Sequence, residues 1–172
     1  SMAEGASTIQ GSTWFRQALM YIPDGFANLE DTDTKNTWYV AVAQNLGIST
    51  DRNTFDSYAG KVEAGIASMQ KILKNPKYKG FLDRVLKDDD DTLLEESAVI
   101  EAEHLMDTAQ DFFKEFQESV KDERGKPEFN VFSPRGFNAV LELARYARAS
   151  TEERSHFQSY LYIENDGKND GA

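Results

Sequence analysis

The 172-residue sequence contains no cysteine. Without a thiol, disulfides, thiolate metal sites, cysteine nucleophiles and thiol redox chemistry are all excluded. The first dozen residues also lack the apolar stretch of a secretory signal. Both absences lead us to predict a cytoplasmic location, or the cytoplasm of a host if the protein is an effector or a viral protein.

Long apolar runs and familiar catalytic motifs are missing too. The purely apolar runs are short, such as Tyr39–Ala43, far below the ~20 residues that cross a bilayer, so no membrane insertion is expected. The sequence has no phosphate-binding Gly-x-x-x-x-Gly-Lys-[Ser/Thr], no Gly-x-Gly-x-x-Gly and no Gly-x-Ser-x-Gly. We therefore predict a non-enzymatic protein with no catalytic residues and no cofactor.

Basic residues are outnumbered by acidic ones: the sequence has 19 Lys and Arg residues against 30 Asp and Glu residues, which gives a net charge of −11. Binding to duplex nucleic acid is not expected, because each phosphate contact requires a cation. Residues 88–124 hold three basic and 14 acidic residues, a charge of −11, so the rest of the chain is neutral in sum.

What the sequence has in abundance is helical periodicity. The fold class is predicted to be all-α, an elongated bundle of six or seven helices with one long acidic helix at about 91–123. The other helices are expected at 13–22, from a cap at Asp33 or Thr34 to Leu46, and at 55–73, 77–87, 134–149 and 151–163. We expect a single domain over 12–163, with flexible ends at 1–11 and 164–172.

The helix predicted at 55–73 has an apolar stripe and an opposite face of small residues, namely Ser57, Gly60, Ala64, Ala67 and Ser68. Because glycine costs a helix up to about 1 kcal/mol relative to alanine, such a face is typical of close backbone approach. Either the helix is central and contacted on both sides, or the small face docks another chain.

The segregated charge allows two interpretations. The basic stretch that ends at Lys87 could pack beside the acidic helix, or the acidic helix could receive a cationic partner. We expect a protein partner, basic in character, or self-association. The last helix adds Tyr160 and Tyr162, which cannot share one face with Phe157; they pack internally against 127–132 or serve as interface anchors. The candidate partner-binding residues are Lys71, Lys74, Lys77, Lys79, Arg84, Asp88, Asp89, Asp90, Asp91, Tyr160 and Tyr162.

The alternative hypothesis is a carboxylate-bridged metal site. The two histidines both stand in Glu-x-x-His, as Glu101 with His104 and Glu153 with His156. Di-iron bundles use two such motifs plus single glutamates from two other helices, for which Glu63 and Glu142 are in a suitable order. At 100° per residue, however, His104 and Glu142 lie away from the apolar stripes of their helices. We therefore expect both to face solvent, so no metal site is predicted.

Overall fold

The computed structural model describes residues 26–86 and 96–163, and within the second range it describes side chains from residue 106 onward. The predicted helix at 13–22, the predicted flexible ends 1–11 and 164–172, and the acidic run Asp88–Asp91 lie outside the described residues. The described part is mostly helical with one small sheet, which confirms a helical fold. Its buried apolar side chains form one cluster.

The described elements follow one another as helices with a strand near each end. In chain order they are β1 (Phe26–Ala27), α1 (Thr32–Asn45), α2 (Phe55–Ile72), a 3-10 turn (Pro76–Tyr78), α3 (Lys79–Val85), α4 (Glu96–Ser119), α5 (Pro134–Arg148), α6 (Thr151–Ser155) and β2 (Phe157–Gln158). The two strands pair antiparallel, with Phe26 opposite Gln158 and Ala27 opposite Phe157.

Side-chain caps start four of these helices. Thr54 accepts a hydrogen bond from the Ser57 amide at the start of α2, and Ser133 does the same for Gly136 in α5. The predicted cap of α1 is wrong by two or three residues, because Asp31 is the residue whose carboxylate accepts from the amide of the first turn.

Helix α2 packs against α1, α4 and α5. Tyr58, Val62 and Met69 of its predicted apolar stripe are buried. The small face is different: Gly60, Ala64 and Ala67 are exposed, and a Cβ on Gly60 would contact nothing within 4 Å. The small face is therefore not an internal contact of the described fold.

Close backbone approach occurs instead around the segment Phe129–Val131, which crosses three glycines. A Cβ on Gly65 would lie 3.0 Å from the Phe129 ring, and one on Gly47 would lie 3.0 Å from the Asn130 Cβ. A Cβ on Gly136 would overlap the backbone of the segment. Gly47 also has a φ of +80°, as expected for the left-handed residue after a helix.

The described part of α4 is a 24-residue helix, about 36 Å long at 1.5 Å per residue. Its residues Ala109, Phe112 and Phe116 are fully buried. The helix ends at Ser119 rather than near 123, because the chain then turns at Gly125 and pairs Lys121 with Pro127. The predicted start at 91 lies outside the described residues.

The prediction of a last helix through Ile163 is wrong. Helix α6 ends at Ser155, and the chain continues as β2 and an extended segment. Phe157 pairs with Ala27 of β1, and the Tyr160 amide donates to the buried carboxylate of Glu142. These tertiary hydrogen bonds replace the ones that helix continuation would have supplied.

Candidate functional site

A cavity of about 850 Å³ lies where α3, the C-terminal end of α5, α6 and the β1–β2 pair meet. Its apolar lining comes from Phe26, Leu82, Leu86 and Phe157. Its charged lining comes from Asp83, Arg145, Arg148, Glu152, Glu153 and His156. A concave apolar surface with a few convergent polar groups is the usual form of a binding site.

Behind the cavity, the Glu142 carboxylate accepts hydrogen bonds from four donors. Only 2% of the surface of this residue is exposed. Its Oε2 accepts from Trp38 Nε1 at 2.6 Å and from Ser159 Oγ at 2.5 Å. Its Oε1 accepts from the Tyr160 amide at 2.6 Å and from Arg145 Nη2 at 3.3 Å. Burial raises the pKa of Glu142, against the opposing effects of Arg145 and the other donors. This carboxylate ties α1, α5 and the C-terminal segment together.

The prediction that Glu142 faces solvent is therefore wrong. Helix α5 is buried almost all the way round, including Leu141, Glu142 and Leu143 in succession. Its apolar stripe packs against the helices, while the side opposite packs against Trp38 and the C-terminal segment. Residues 139–144, Ala-Val-Leu-Glu-Leu-Ala, place apolar side chains on every side of the helix. Such a run indicates a helix that is buried all round, and it could have predicted the burial of Glu142.

Arg145 is held rigidly at the cavity wall. Its guanidinium lies 4.0 Å from the Phe157 ring centroid and 4.7 Å from that of Tyr160. Its Nη2 also donates to the Gln158 carbonyl at 2.5 Å. Cation–π stacking and hydrogen bonding together leave this cation little freedom to move.

A second ion pair closes one side of the cavity. Arg148 of α5 lies 2.5 Å from Asp83 of α3, and Lys79 lies 2.7 Å from the other oxygen of the same carboxylate. The hydrogen bonds from Lys79 and Arg148 lower the pKa of Asp83. The charge of Arg145 is thus compensated by Glu142, whereas Arg148 and Lys79 share the single charge of Asp83.

At the mouth, Glu153 has a structural task. Its carboxylate accepts from the Ser150 amide at 2.8 Å while Ser150 Oγ accepts from the Glu153 amide at 3.1 Å, so the two residues form a capping box. The hydrogen bond from the Ser150 amide lowers the pKa of Glu153. Next to it, His156 stacks on Phe26 with ring centroids 4.2 Å apart.

Replacing Ser150 with alanine is expected to lower the free energy of unfolding by about 1 kcal/mol, because the Glu153 amide loses its acceptor. Urea denaturation followed by circular dichroism measures the change. Ser155→Ala is the matched control, since its hydroxyl only donates to the carbonyl of Glu152. An equal loss in both variants would contradict a specific role of the cap.

The candidate residues of the basic stretch lie in different parts of the structure and do not form one surface site. Lys77 forms an ion pair with Asp111 of α4 at 2.8 Å, and the neighbouring Tyr78 donates to Glu115 at 2.6 Å. Lys71 and Lys74 are exposed at the end of α2, and Arg84 is half-buried in α3. Among the described candidates of the stretch, Lys79 reaches the cavity region, through Asp83.

The two tyrosine candidates also lie in different places. Tyr160 lines the cavity beneath Arg145, whereas Tyr162 is 51% exposed on the far side of the buried Leu161. Phe157 packs on Trp38 and Tyr146 rather than on the 127–132 segment. Asp88, Asp89, Asp90 and Asp91 lie outside the described residues.

The candidate metal ligands whose side chains are described do not lie together. Glu153 belongs to a helix cap, His156 stacks on Phe26, and Glu63 accepts from the Tyr39 hydroxyl at 3.4 Å. The side chains of Glu101 and His104 lie outside the described part. Among the side chains that are described, no three His, Asp or Glu residues gather in a metal-binding group.

Comparison of the chain with protein-family models, curated proteins and solved structures finds no match. No helix in the described ranges combines the length and apolar character needed to cross a bilayer.

Proposed function

We propose that the protein is a non-enzymatic interaction module whose cavity receives a segment of a protein partner. The observation that carries the proposal is the 850 Å³ cavity with an apolar floor and a prearranged charged rim. Phe26, 58% exposed at the rim, adds an aromatic surface of the kind that anchors protein interfaces.

The rim specifies the chemistry of the partner. Arg145 is paired with Glu142, and Arg148 shares Asp83 with Lys79, so Glu152 and Glu153 leave these seven charged groups with a net charge of −1. The described side of α4 adds exposed Asp107, Asp111 and Glu118 elsewhere on the surface. A segment with an aromatic or aliphatic anchor and a neighbouring Lys or Arg complements this cavity.

Selection from a random peptide library displayed against the full chain tests the proposal. Enriched peptides are expected to combine an apolar anchor with a basic residue. Ala149→Arg, which places a long cation in the cavity mouth, and Glu152→Lys, which reverses a rim charge, are each expected to weaken binding at least tenfold. Circular dichroism confirms that both variants are folded.

Ala64→Arg is the matched control, because it makes the same substitution on the exposed small face of α2. It is expected to leave peptide binding unchanged. Failure to enrich any peptide, or binders that tolerate Ala149→Arg, would contradict the proposal. Binders blocked by Ala64→Arg instead would assign the interface to the small face, and a dimer dissolved by Ala149→Arg would assign the cavity to a second copy.

Three expectations from the sequence remain proposals beside this one. They are the bundle of six or seven helices with an acidic helix that starts near 91, the single domain over 12–163, and the cytoplasmic location. The carboxylate-bridged metal site through Glu101, His104, Glu153 and His156 has weaker support, because the Glu153 carboxylate is engaged in its cap. Elemental analysis for stoichiometric iron, manganese or zinc tests it.

A further inference from the structure

A second, smaller cavity of about 230 Å³ lies on another face, between α1, α2, the C-terminal part of α5 and α6. It is lined by Lys35, Tyr39, Glu63, Gln70, Tyr146 and Arg154 together with two apolar residues of α2. One of those two is Ala67, a member of the small-residue face, whose short side chain leaves room between Glu63 and Gln70.

Two cations face this cavity without a carboxylate partner among the described residues. Lys35 Nζ lies 5.8 Å from the Tyr39 ring centroid and 5.5 Å from that of Tyr146. The Arg154 guanidinium stacks 4.1 Å from the Tyr146 centroid and uses Nε to donate to the Tyr146 carbonyl at 3.0 Å. Both side chains are thus positioned by aromatic and backbone contacts, which leave donors of Lys35 and Arg154 for a ligand.

The protonation states of Lys35 and Tyr39 also support ligand binding in this cavity. Burial lowers the pKa of Lys35, but the hydroxyls of Tyr146 and Tyr39 outweigh it and raise the pKa above its ordinary value. Lys35 therefore stays a cation in the cavity at neutral pH. Burial raises the pKa of Tyr39, so its hydroxyl stays protonated and donates to Glu63.

The cavity also holds one negative charge, on Glu63. A plain anion that binds Lys35 and Arg154 would meet this carboxylate, and a plain cation that binds Glu63 would meet the two basic groups. A molecule that carries both an anionic group and an ammonium group satisfies all three. Because about 230 Å³ is less than the roughly 300–1,000 Å³ of drug-sized pockets, the molecule has to be small.

We propose that this cavity is a binding site for a free α-amino acid, with its carboxylate on Lys35 and Arg154 and its ammonium on Glu63. The site carries two positive charges and one negative charge, so an acidic amino acid with two carboxylates neutralises it fully. This site is separate from the proposed partner cavity and does not depend on it.

Titration of the full chain with L-glutamate, followed by amide chemical shifts in NMR spectra, tests the site. Saturable shifts are expected at residues 35, 63, 67 and 154. Glutarate, which is glutamate without the ammonium group, and inorganic phosphate are expected to bind at least tenfold more weakly.

Lys35→Gln and Glu63→Gln are each expected to weaken glutamate binding at least tenfold. Lys71→Gln and Glu30→Gln remove the same charges from exposed positions outside the cavity and are expected to have no effect. The proposal is overturned if glutamate produces no saturable shift, if glutarate or phosphate binds as tightly as glutamate, or if all four variants bind equally. Glu63 is exposed, so its variant is informative even if Lys35→Gln fails to fold.

Discussion

Gly136→Ala is expected to lower the free energy of unfolding by about 3 kcal/mol. A Cβ at this position would lie 2.1 Å from the Asn130 carbonyl oxygen and 2.5 Å from that of Val131. Both obstacles are backbone atoms, so no side-chain rotation relieves the overlap. The segment is also anchored from the other side, because the Asn130 amide donates to the Leu46 carbonyl at 2.7 Å.

Urea denaturation monitored by circular dichroism measures this loss. Gly60→Ala is the matched control, because the same methyl group on the exposed face of α2 meets no atom within 4 Å. It is expected to raise the free energy of unfolding by about 0.5–1 kcal/mol through helix propensity. If both variants were stabilised alike, the tight crossing at Gly136 would be refuted.

The second large effect is expected for Glu142→Gln, with a loss of about 3 kcal/mol in the free energy of unfolding. The amide has one acceptor oxygen, whereas both carboxylate oxygens accept from two donors each. Whichever way the amide is turned, its NH₂ group faces a buried N–H donor, either that of Trp38 or that of Tyr160. Arg145 also loses its buried countercharge.

Hydrogen exchange supplies a local measurement beside urea denaturation. The Tyr160 amide is expected to exchange faster in Glu142→Gln, because its acceptor is lost, while the amides in the middle of α2 change only with global stability. Glu118→Gln is the control: its ion pair with Lys121 is exposed, and the expected change is below about 0.5 kcal/mol. Unaltered exchange at Tyr160 would count against the carboxylate hub.

Local rules account for much of the fold. The stripe from Phe55 to Leu73, the Ser133-Pro134 start of α5 and the capping box at Ser150 each depend on residues a few positions apart, so the sequence contains all the partners. The predicted helix boundaries fail where a distant group competes for the backbone. After Ser155, Glu142 and β1 take up amides and carbonyls that a continued helix would have used.

For the candidate site, the sequence identified fewer of the residues that matter. Lys79 and Tyr160 were named as candidates by residue type, but Arg145, Arg148 and Phe26, which line the partner cavity, were not. Glu142 was considered only as a metal ligand that faces solvent. A helical wheel ranks positions by the side that carries most apolar residues, and it places Glu142 opposite that side. It cannot show that a second layer, built from Trp38 and the C-terminal segment, covers the opposite side as well.

The amino-acid order alone determined that this chain is helical, free of thiol chemistry and acidic in one segment, because composition and short-range spacing are sufficient for those properties. The tertiary structure decided which charges are compensated. It buried Glu142 among four donors, engaged Arg148 with Asp83, and left Lys35 and Arg154 facing a small cavity beside Glu63. The physical reason is that desolvation and ion pairing depend on distances between residues far apart in sequence, such as Trp38 and Glu142, which are 104 positions apart. The net charge of the chain therefore says less about its partners than the few charges that folding leaves uncompensated.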